Sequence, residues 1–369
     1  MKILLITKNI DNKGGLGRYS RAIVDEFTRR HLDFTVLTES GIDHFAEQAI
    51  LRPLSGGLIR TGTAFIANIF VVRRVARSAD ILHAFDGWPY GVYAYFAAIG
   101  TAKKIFITGV GTYSVALLKG MVRRIFLRRA YRAAEHILCI SDYVRQKILE
   151  QLPLNNISTV FMGTIRLPAI GAQELKNFKI ENSIENDFPI LLTVGDIKRR
   201  KGQLDSLRAA QLLGNVHPRW KYIVVGSDGD KYYLEQIRKF AKENNIEDHI
   251  EIIPDMYDDR KLAAFYAASD VFLLNSNSYG EHFEGFGLAI LEAAQFGVPA
   301  VGSKNCGIES AIQNGKSGYL SNQGDYEDIK KKILAVLHNK DALSRGALDF
   351  YRNFSWEKTV DQYLEFYAR

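Results

Sequence analysis

Glu284 opens the run Glu284-Gly-Phe-Gly-Leu-Ala-Ile-Leu-Glu292, which continues as Ala-Ala-Gln-Phe-Gly297-Val-Pro299. Two carboxylates thus flank a glycine turn and the start of a helix. Gly285 and Gly287 let a backbone come close to a ligand. Leu288 to Phe296 reads as a helix stopped by Gly297 and Pro299. Its first turn offers N–H groups and a positive dipole end to a phosphate. Glu284, before the turn, is placed to meet a sugar, and Glu292, one turn in, has the reach of a ribose diol. Together these residue types suit a phosphorylated sugar nucleotide. The competing reading is a buried strand-loop-helix carrying two solvated glutamates. Two glutamates at this spacing are common by chance; the whole string is far more specific.

That string resembles the signature of the family 4 retaining glycosyltransferases of the GT-B fold, and the resemblance runs through most of the chain. It implies transfer of a sugar from a nucleotide-sugar donor with retention of anomeric configuration, with no metal and no cofactor. On this resemblance Glu284, Lys201 and Arg200 are the expected catalytic residues. Gly15, Gly17, Gly195, Lys201, Gly285, Phe286, Gly287, Leu288 and Glu292 are expected to bind the donor.

In Val194-Gly195-Asp196-Ile-Lys198-Arg199-Arg200-Lys201-Gly202, the Lys-Gly pair resembles the family's, whose lysine holds the diphosphate. The negative charge growing on a departing nucleoside diphosphate must be neutralised. Without a metal, Lys, Arg and helix ends do this. The chain departs from the pattern at Asp196, where many relatives carry arginine. Arg199 or Arg200 replaces that arginine, and the sequence leaves open which one points inward. A basic helix cap is the plainer role for Lys198 and Arg199.

Other segments follow the same resemblance. Gly14-Gly-Leu-Gly17 is expected between the first strand and first helix, as the loop that approaches the donor. It is no dinucleotide fingerprint, because Ser20 stands at the third glycine's place. Gly226-Ser-Asp-Gly229 resembles a turn below the nucleotide, and Asp255–Tyr257 the loop that meets the base. Val110, in Ile107-Thr-Gly-Val-Gly-Thr-Tyr113, stands where the family usually has a histidine close to the transferred sugar. An altered donor pocket is the favoured consequence. His83 reads as packing, and His282, beside Glu284, as nearer the sugar. Tyr113, Trp88 and Tyr279 are candidate acceptor contacts, although aromatics near strand ends are more often core.

The elements that must position these residues alternate strand and helix. Strands are predicted at Ile3–Thr7, Phe34–Leu37, Ile81–Ala84, Lys104–Thr108, His136–Ile140 and Ile157–Phe161, then at Ile190–Val194, Lys221–Val225, Ile250–Ile253, Val271–Leu274, Ala300–Val301 and Gly318–Leu320. Helices are predicted at Arg18–Arg30, Ile59–Ser78, Ser114–Ala134 and Asp142–Glu150. The fold class is α/β: two doubly wound Rossmann-like domains facing a crevice. Residues 1–168 are expected on the acceptor side and 169–354 on the nucleotide-sugar side, with 162–187 as linker. Residues 355–369 form an amphipathic helix with a serine N-cap, which by the resemblance crosses back to the first domain.

Composition bounds the function. The 369 residues suffice for two domains, 47% are apolar and 24% charged, and no tract is of low complexity. Cys139 and Cys306, each beside an apolar or glycine-containing segment, read as reduced thiols without a metal role. The first residues enter a strand pattern directly, and no apolar run reaches about 18 residues, so a cytoplasmic location is expected. Residues 1–168 carry 23 Lys and Arg against 12 Asp and Glu, whereas 169–369 carry 25 against 29. Gly87 to Ala134 holds no acid but gathers Lys103, Lys104, Lys119, Arg123, Arg124, Arg128, Arg129 and Arg132. Such a block suits an anionic surface, membrane or phosphorylated acceptor, or else is a solvated helix face. The expected partners are a nucleotide-sugar donor, a glycan or lipid-linked acceptor and an anionic membrane surface. Nucleic acid is not among them, for no binding motif accompanies the basic block. A non-catalytic nucleotide-sugar-binding module and a nucleotide-sugar epimerase of the same fold are the alternatives.

Overall fold

The structure is a computed structural model and describes all residues except 12–13, 40–50, 55–57, 120–121, 255 and 257. The chain separates into two compact units, Met1–Gly163 with Ser355–Arg369, and Thr164–Phe354. Each is a Rossmann-like domain built on one six-stranded sheet whose neighbouring strands all run parallel.

The first unit contains β1 (Ile3–Ile6), β2 (Phe34–Leu37), β3 (Ile81–Phe85), β4 (Lys104–Gly109), β5 (His136–Cys139) and β6 (Ile157–Thr159). Their order is β2-β1-β3-β4-β5-β6. The second contains β7 (Ile190–Val194), β8 (Lys221–Val225), β9 (Ile250–Ile253), β10 (Val271–Leu274), β11 (Ala300–Ser303) and β12 (Gly318–Ser321), in the order β12-β11-β10-β7-β8-β9. These strands read as near-continuous apolar runs, as strands covered on both faces must. All four residues of β1 and of β10 are buried. The second unit's core gathers Leu191, Ile197, Tyr222, Leu273 and Val301 against Leu207, Ile237 and Ile333 from its helices.

In both sheets the chain starts at an interior strand, builds to one edge, then returns to build the other. The reversal leaves a switch point between β1 and β3, and another between β7 and β10. Ligands of such sheets bind at switch points, beyond the carboxyl ends of the strands.

The last helix, Trp356–Ala368, belongs to the first unit. Ser355 caps it by accepting from the Lys358 N–H. Its inner face buries Tyr363 and Tyr367, whose hydroxyls join a polar cluster with Tyr19, His83 and Thr108.

Three expectations need correction. The helix predicted over Ser114–Ala134 is instead a short turn of helix at Thr112–Val115, a 3₁₀ turn at Ala116–Leu118 and a helix at Val122–Ala133. The Ser114 hydroxyl is drawn to Asp86 and its carbonyl accepts from Tyr131 at 2.7 Å, and these demands override the periodicity. The predicted linker holds a helix, Ala172–Glu181, anchored by Phe178 edge-on to Phe265 and by Arg260 paired with Glu174. One buried residue in ten positions gives almost no periodic signal. Gly14, Gly15 and Gly17 lie in the first turn of the helix Gly14–Arg29 rather than before it. The first N–H groups of a helix lack partners in any case, so glycine is tolerated there.

Candidate active site

Beyond β7 the chain is drawn across the end of β8. The Gly195 N–H donates to the Val225 carbonyl at 2.9 Å, and the Ile197 N–H to the Ser227 carbonyl at 2.8 Å. Asp196 accepts from Lys198 and from the Ser227 hydroxyl, each at 2.7 Å. Burial opposes the charge on Asp196, but those two hydrogen bonds together with the Lys198 and Lys201 charges hold the carboxyl below its usual range. Arg199–Lys201 then form one 3₁₀ turn, ended by Gly202 in the left-handed region at φ 70°. A Cβ at Gly202 would lie 1.8 Å from the Asn275 carbonyl oxygen, so only glycine lets this turn touch the end of β10.

The loop after β10 is tied to the same turn. The Asn277 N–H donates to the Arg200 carbonyl at 2.8 Å, and its side-chain amide to Asp205 at 2.6 Å. Asn275, buried, donates to Ser206 and accepts from Ser321. The loop then delivers Glu284, whose carbonyl is held by the Gly307 N–H at 2.8 Å.

The result is a compact ionic cluster. Arg200 Nη1 lies 2.6 Å and Lys201 Nζ 2.8 Å from the same Glu284 oxygen, Oε2. The Glu284 side chain is 13% exposed. Burial works against its charge, but the Lys201 and Arg200 cations more than offset that and hold the carboxyl down at about 2. Glu284 is therefore an anion at any physiological pH. Gly195 adjoins the cluster, since a Cβ there would lie 3.7 Å from Lys201 Nζ. Arg199 turns away, its guanidinium 5.5 Å from the Tyr279 ring centroid. Of the two arginines, Arg200 is the one that meets Glu284.

Glu284 leads through Gly285 into buried Phe286, which packs edge-on to Phe354, and then Gly287 at φ 93°. Gly287 caps the helix Leu288–Gln295, with Leu288 half-buried at its start. Glu292 lies on the inner side of that helix, 1% exposed, and accepts from the Tyr266 hydroxyl at 2.7 Å. The structure thus joins Glu284, Arg200, Lys201 and Gly195, and gives Glu292 a separate buried partner. Gly15 and Gly17 lie in the other unit, and a side chain at Gly15 would meet open space.

His83 is fully buried between Tyr367 and Thr108, and burial pushes its pKa down to about 3. It is a neutral packing residue. His282 is exposed, in a turn where its backbone pairs with Tyr279. Val110 is half-buried and gives its N–H to the Ser114 hydroxyl at 3.1 Å. Trp88 stacks on Phe65 and carries Arg123 over its ring, whereas Tyr113 is exposed. The loop expected at Asp255–Tyr257 lies largely outside the described residues. Both cysteines are free and buried, and burial pushes the Cys306 thiol up to about 12. Asn275, Asn277 and Tyr266 carry no motif and were not predicted; their roles follow from contacts between distant segments. Among the described residues no helix is long and apolar enough to cross a membrane.

Comparison with known proteins agrees with this architecture. Residues 13–163 match the model of Glycosyltransferase Family 4, and residues 175–348 that of Glycosyl transferases group 1. An uncharacterized glycosyltransferase of Methanocaldococcus jannaschii is 23% identical over 98% of this chain and 96% of its own. The N-acetyl-alpha-D-glucosaminyl L-malate synthase of Bacillus anthracis is 28% identical over 78% of this chain and 74% of its own. The crystal structure of Anabaena HepE in complex with UDP and glucose superposes with a TM-score of 0.79 at 17% identity, covering 100% of this chain and 99% of that one. With two parallel-sheet domains, and family models matched in each, the chain belongs to the family 4 glycosyltransferases.

Proposed function

We propose that this glycosyltransferase moves a sugar from a nucleotide-sugar donor to a polysaccharide or lipid-linked acceptor of the cell envelope, with retention of configuration and without a metal. The observation that carries this reading is the Arg200–Lys201–Glu284 cluster at the switch point between β7 and β10. In this reading an incoming diphosphate takes the two cations from Glu284, and the freed carboxylate turns to the sugar. Its contact strengthens as the ring becomes oxocarbenium-like. Arg200 and Lys201 offset the charge growing on the leaving nucleoside diphosphate, which is the task a metal would otherwise perform. A departing phosphate oxygen can take the acceptor's proton on the same face, so no protein base is obligatory and valine suffices at position 110.

The donor's backbone contacts fall in this reading to Gly195, Gly285, Phe286, Gly287 and Leu288, with Gly15 and Gly17 from the first unit and Glu292 on the ribose. The UDP and glucose named with the Anabaena protein support a nucleotide-sugar donor. Arg123, Arg124 and Arg129, all exposed on the helix Val122–Ala133, favour an anionic acceptor or lipid surface at the cytoplasmic face of the membrane. Sedimentation with anionic liposomes at low salt, lost in the triple serine variant, tests that last part. The donor assignment is tested by thermal shift and donor hydrolysis across UDP-, GDP-, ADP- and dTDP-sugars. Stabilisation by one nucleotide series in the wild type, lost in Lys201→Ala, is expected; indifference to all four removes the proposal.

A further inference from the structure

Asp86 directly follows β3, at the switch point between β1 and β3 of the first unit. Its backbone sits at φ 99°, ψ 146°, close to a region that glycine alone populates readily. A side chain held there is strained, and such strain gathers where a residue serves a ligand.

The surroundings fix the residue from several sides. The Asp86 N–H donates to the Thr108 carbonyl at 3.0 Å, and its carbonyl accepts from the Gly91 N–H at 3.1 Å. Carboxylate oxygen Oδ1 accepts from the Gly87 N–H at 2.8 Å and from the Ser114 hydroxyl. Ser114 in turn accepts the Val110 N–H, so the clamp reaches the loop beyond β4. Among the described residues nothing donates to the second oxygen, Oδ2. Asp86 is 6% exposed. The ionisable groups facing it are the phenols of Tyr131, on the helix Val122–Ala133, and Tyr90, which donates to Glu39. Burial pushes both phenols up, so neither supplies a charge. No described cation acts on the carboxyl. Burial raises it to about 7, against the pull of the Ser114 and Gly87 hydrogen bonds.

A buried carboxylate with one oxygen clamped and the other unpartnered, at the carboxyl end of a switch-point strand, is set to accept a hydrogen bond from a ligand. The proposed reaction brings hydroxyl-rich ligands, and a hydroxyl is the donor that suits a lone carboxylate oxygen without a cation. We propose that Asp86 binds substrate carbohydrate, Oδ2 accepting a hydrogen bond from a hydroxyl of either the transferred sugar or the acceptor. The inference rests on the glycosyltransferase reading above.

The test compares the wild type with Asp86→Asn and Asp86→Gly, using whichever nucleotide-sugar the wild type turns over. Asparagine keeps an acceptor for Gly87 and Ser114 but puts an N–H₂ at the Oδ2 position. Glycine removes the carboxylate and relieves the φ of 99°, so that variant should fold. Both variants should bind UDP or the matching free nucleotide as the wild type does. Both should lose about 10-fold or more in kcat/KM, the range for a hydrogen bond to a charged group. Wild-type kcat/KM should rise as pH passes about 7, and the asparagine variant should lack that rise. Loss of donor hydrolysis together with transfer identifies the transferred sugar as the partner; loss of transfer alone identifies the acceptor. Wild-type kcat/KM and pH profile in Asp86→Asn, or wild-type activity in Asp86→Gly, overturn the inference. Failure of the underlying reading shows elsewhere: a wild type that turns over no donor removes the reading, and this inference with it.

Discussion

Arg200 and Glu284 stand 84 positions apart in the sequence and are joined by a 2.6 Å ion pair, because β7 and β10 are neighbours in the sheet. Lys201 binds the same carboxylate oxygen. The cluster therefore forms without ligand, and in the proposed reaction a diphosphate displaces a carboxylate to reach the cations.

Glu284→Gln should separate binding from turnover. Without the anion, Arg200 and Lys201 are left for a free nucleoside diphosphate, which should bind more tightly than to the wild type. Turnover should fall by roughly 10²-fold, the scale for losing one transition-state contact. Calorimetry with the nucleotide and steady-state kinetics check the two halves.

Lys201→Ala should cost on the order of 2–4 kcal/mol of transition-state stabilisation. Arg199→Ala should leave kcat near the wild-type value, since Arg199 lies over Tyr279 and not on Glu284. A large loss from Arg199→Ala alone would reverse the assignment of the two arginines.

Glu292→Ala removes a charged acceptor proposed for the ribose, so donor affinity should fall by about 1.5–3 kcal/mol. It also leaves the buried Tyr266 hydroxyl without this partner, so the melting temperature should drop. Tyr266→Phe should restore part of the stability of the alanine variant and none of its affinity. A double-mutant cycle read by melting and by nucleotide titration distinguishes the two effects.

The two site carboxyls respond to pH in opposite senses. Glu284, held down at about 2, contributes stability that is present above its usual pKa and lost as pH falls through about 2. Asp86, pushed up to about 7, contributes stability that is present below the usual carboxylate range and lost as pH rises through about 7. Hence Asp86→Asn should gain on the wild type between pH 4 and 8, whereas Glu284→Gln should lose its deficit only in strong acid. Denaturant midpoints from strong acid up to about pH 8 check both signs.

The strands were legible because each is a short apolar or β-branched run between turn residues, and their parallel pairing follows from strand-helix alternation; the order of strands in each sheet was not. The helix at Ala172–Glu181 was not, because Phe178 is its one buried side chain. At the site, Glu284 and Lys201 could be named from local strings. The choice between Arg199 and Arg200 could not, because both belong to one short turn and only its docking on Asn275 and Asn277 decides which faces Glu284. Tyr266 under Glu292 left no local signal, since a helix-to-helix contact sets it. Asp86 left none either, because what singles it out is a backbone angle and an unpartnered oxygen.

The most direct test of the central claim is release of nucleoside diphosphate from a panel of nucleotide-sugars, with EDTA present, by the wild type and Lys201→Ala. The account predicts release from one donor class by the wild type, undiminished by EDTA and lowered by about 100-fold or more in the variant, the low end for losing such a contact. No release from any donor by the wild type, or release restored after chelation by Mn²⁺ alone, would contradict it.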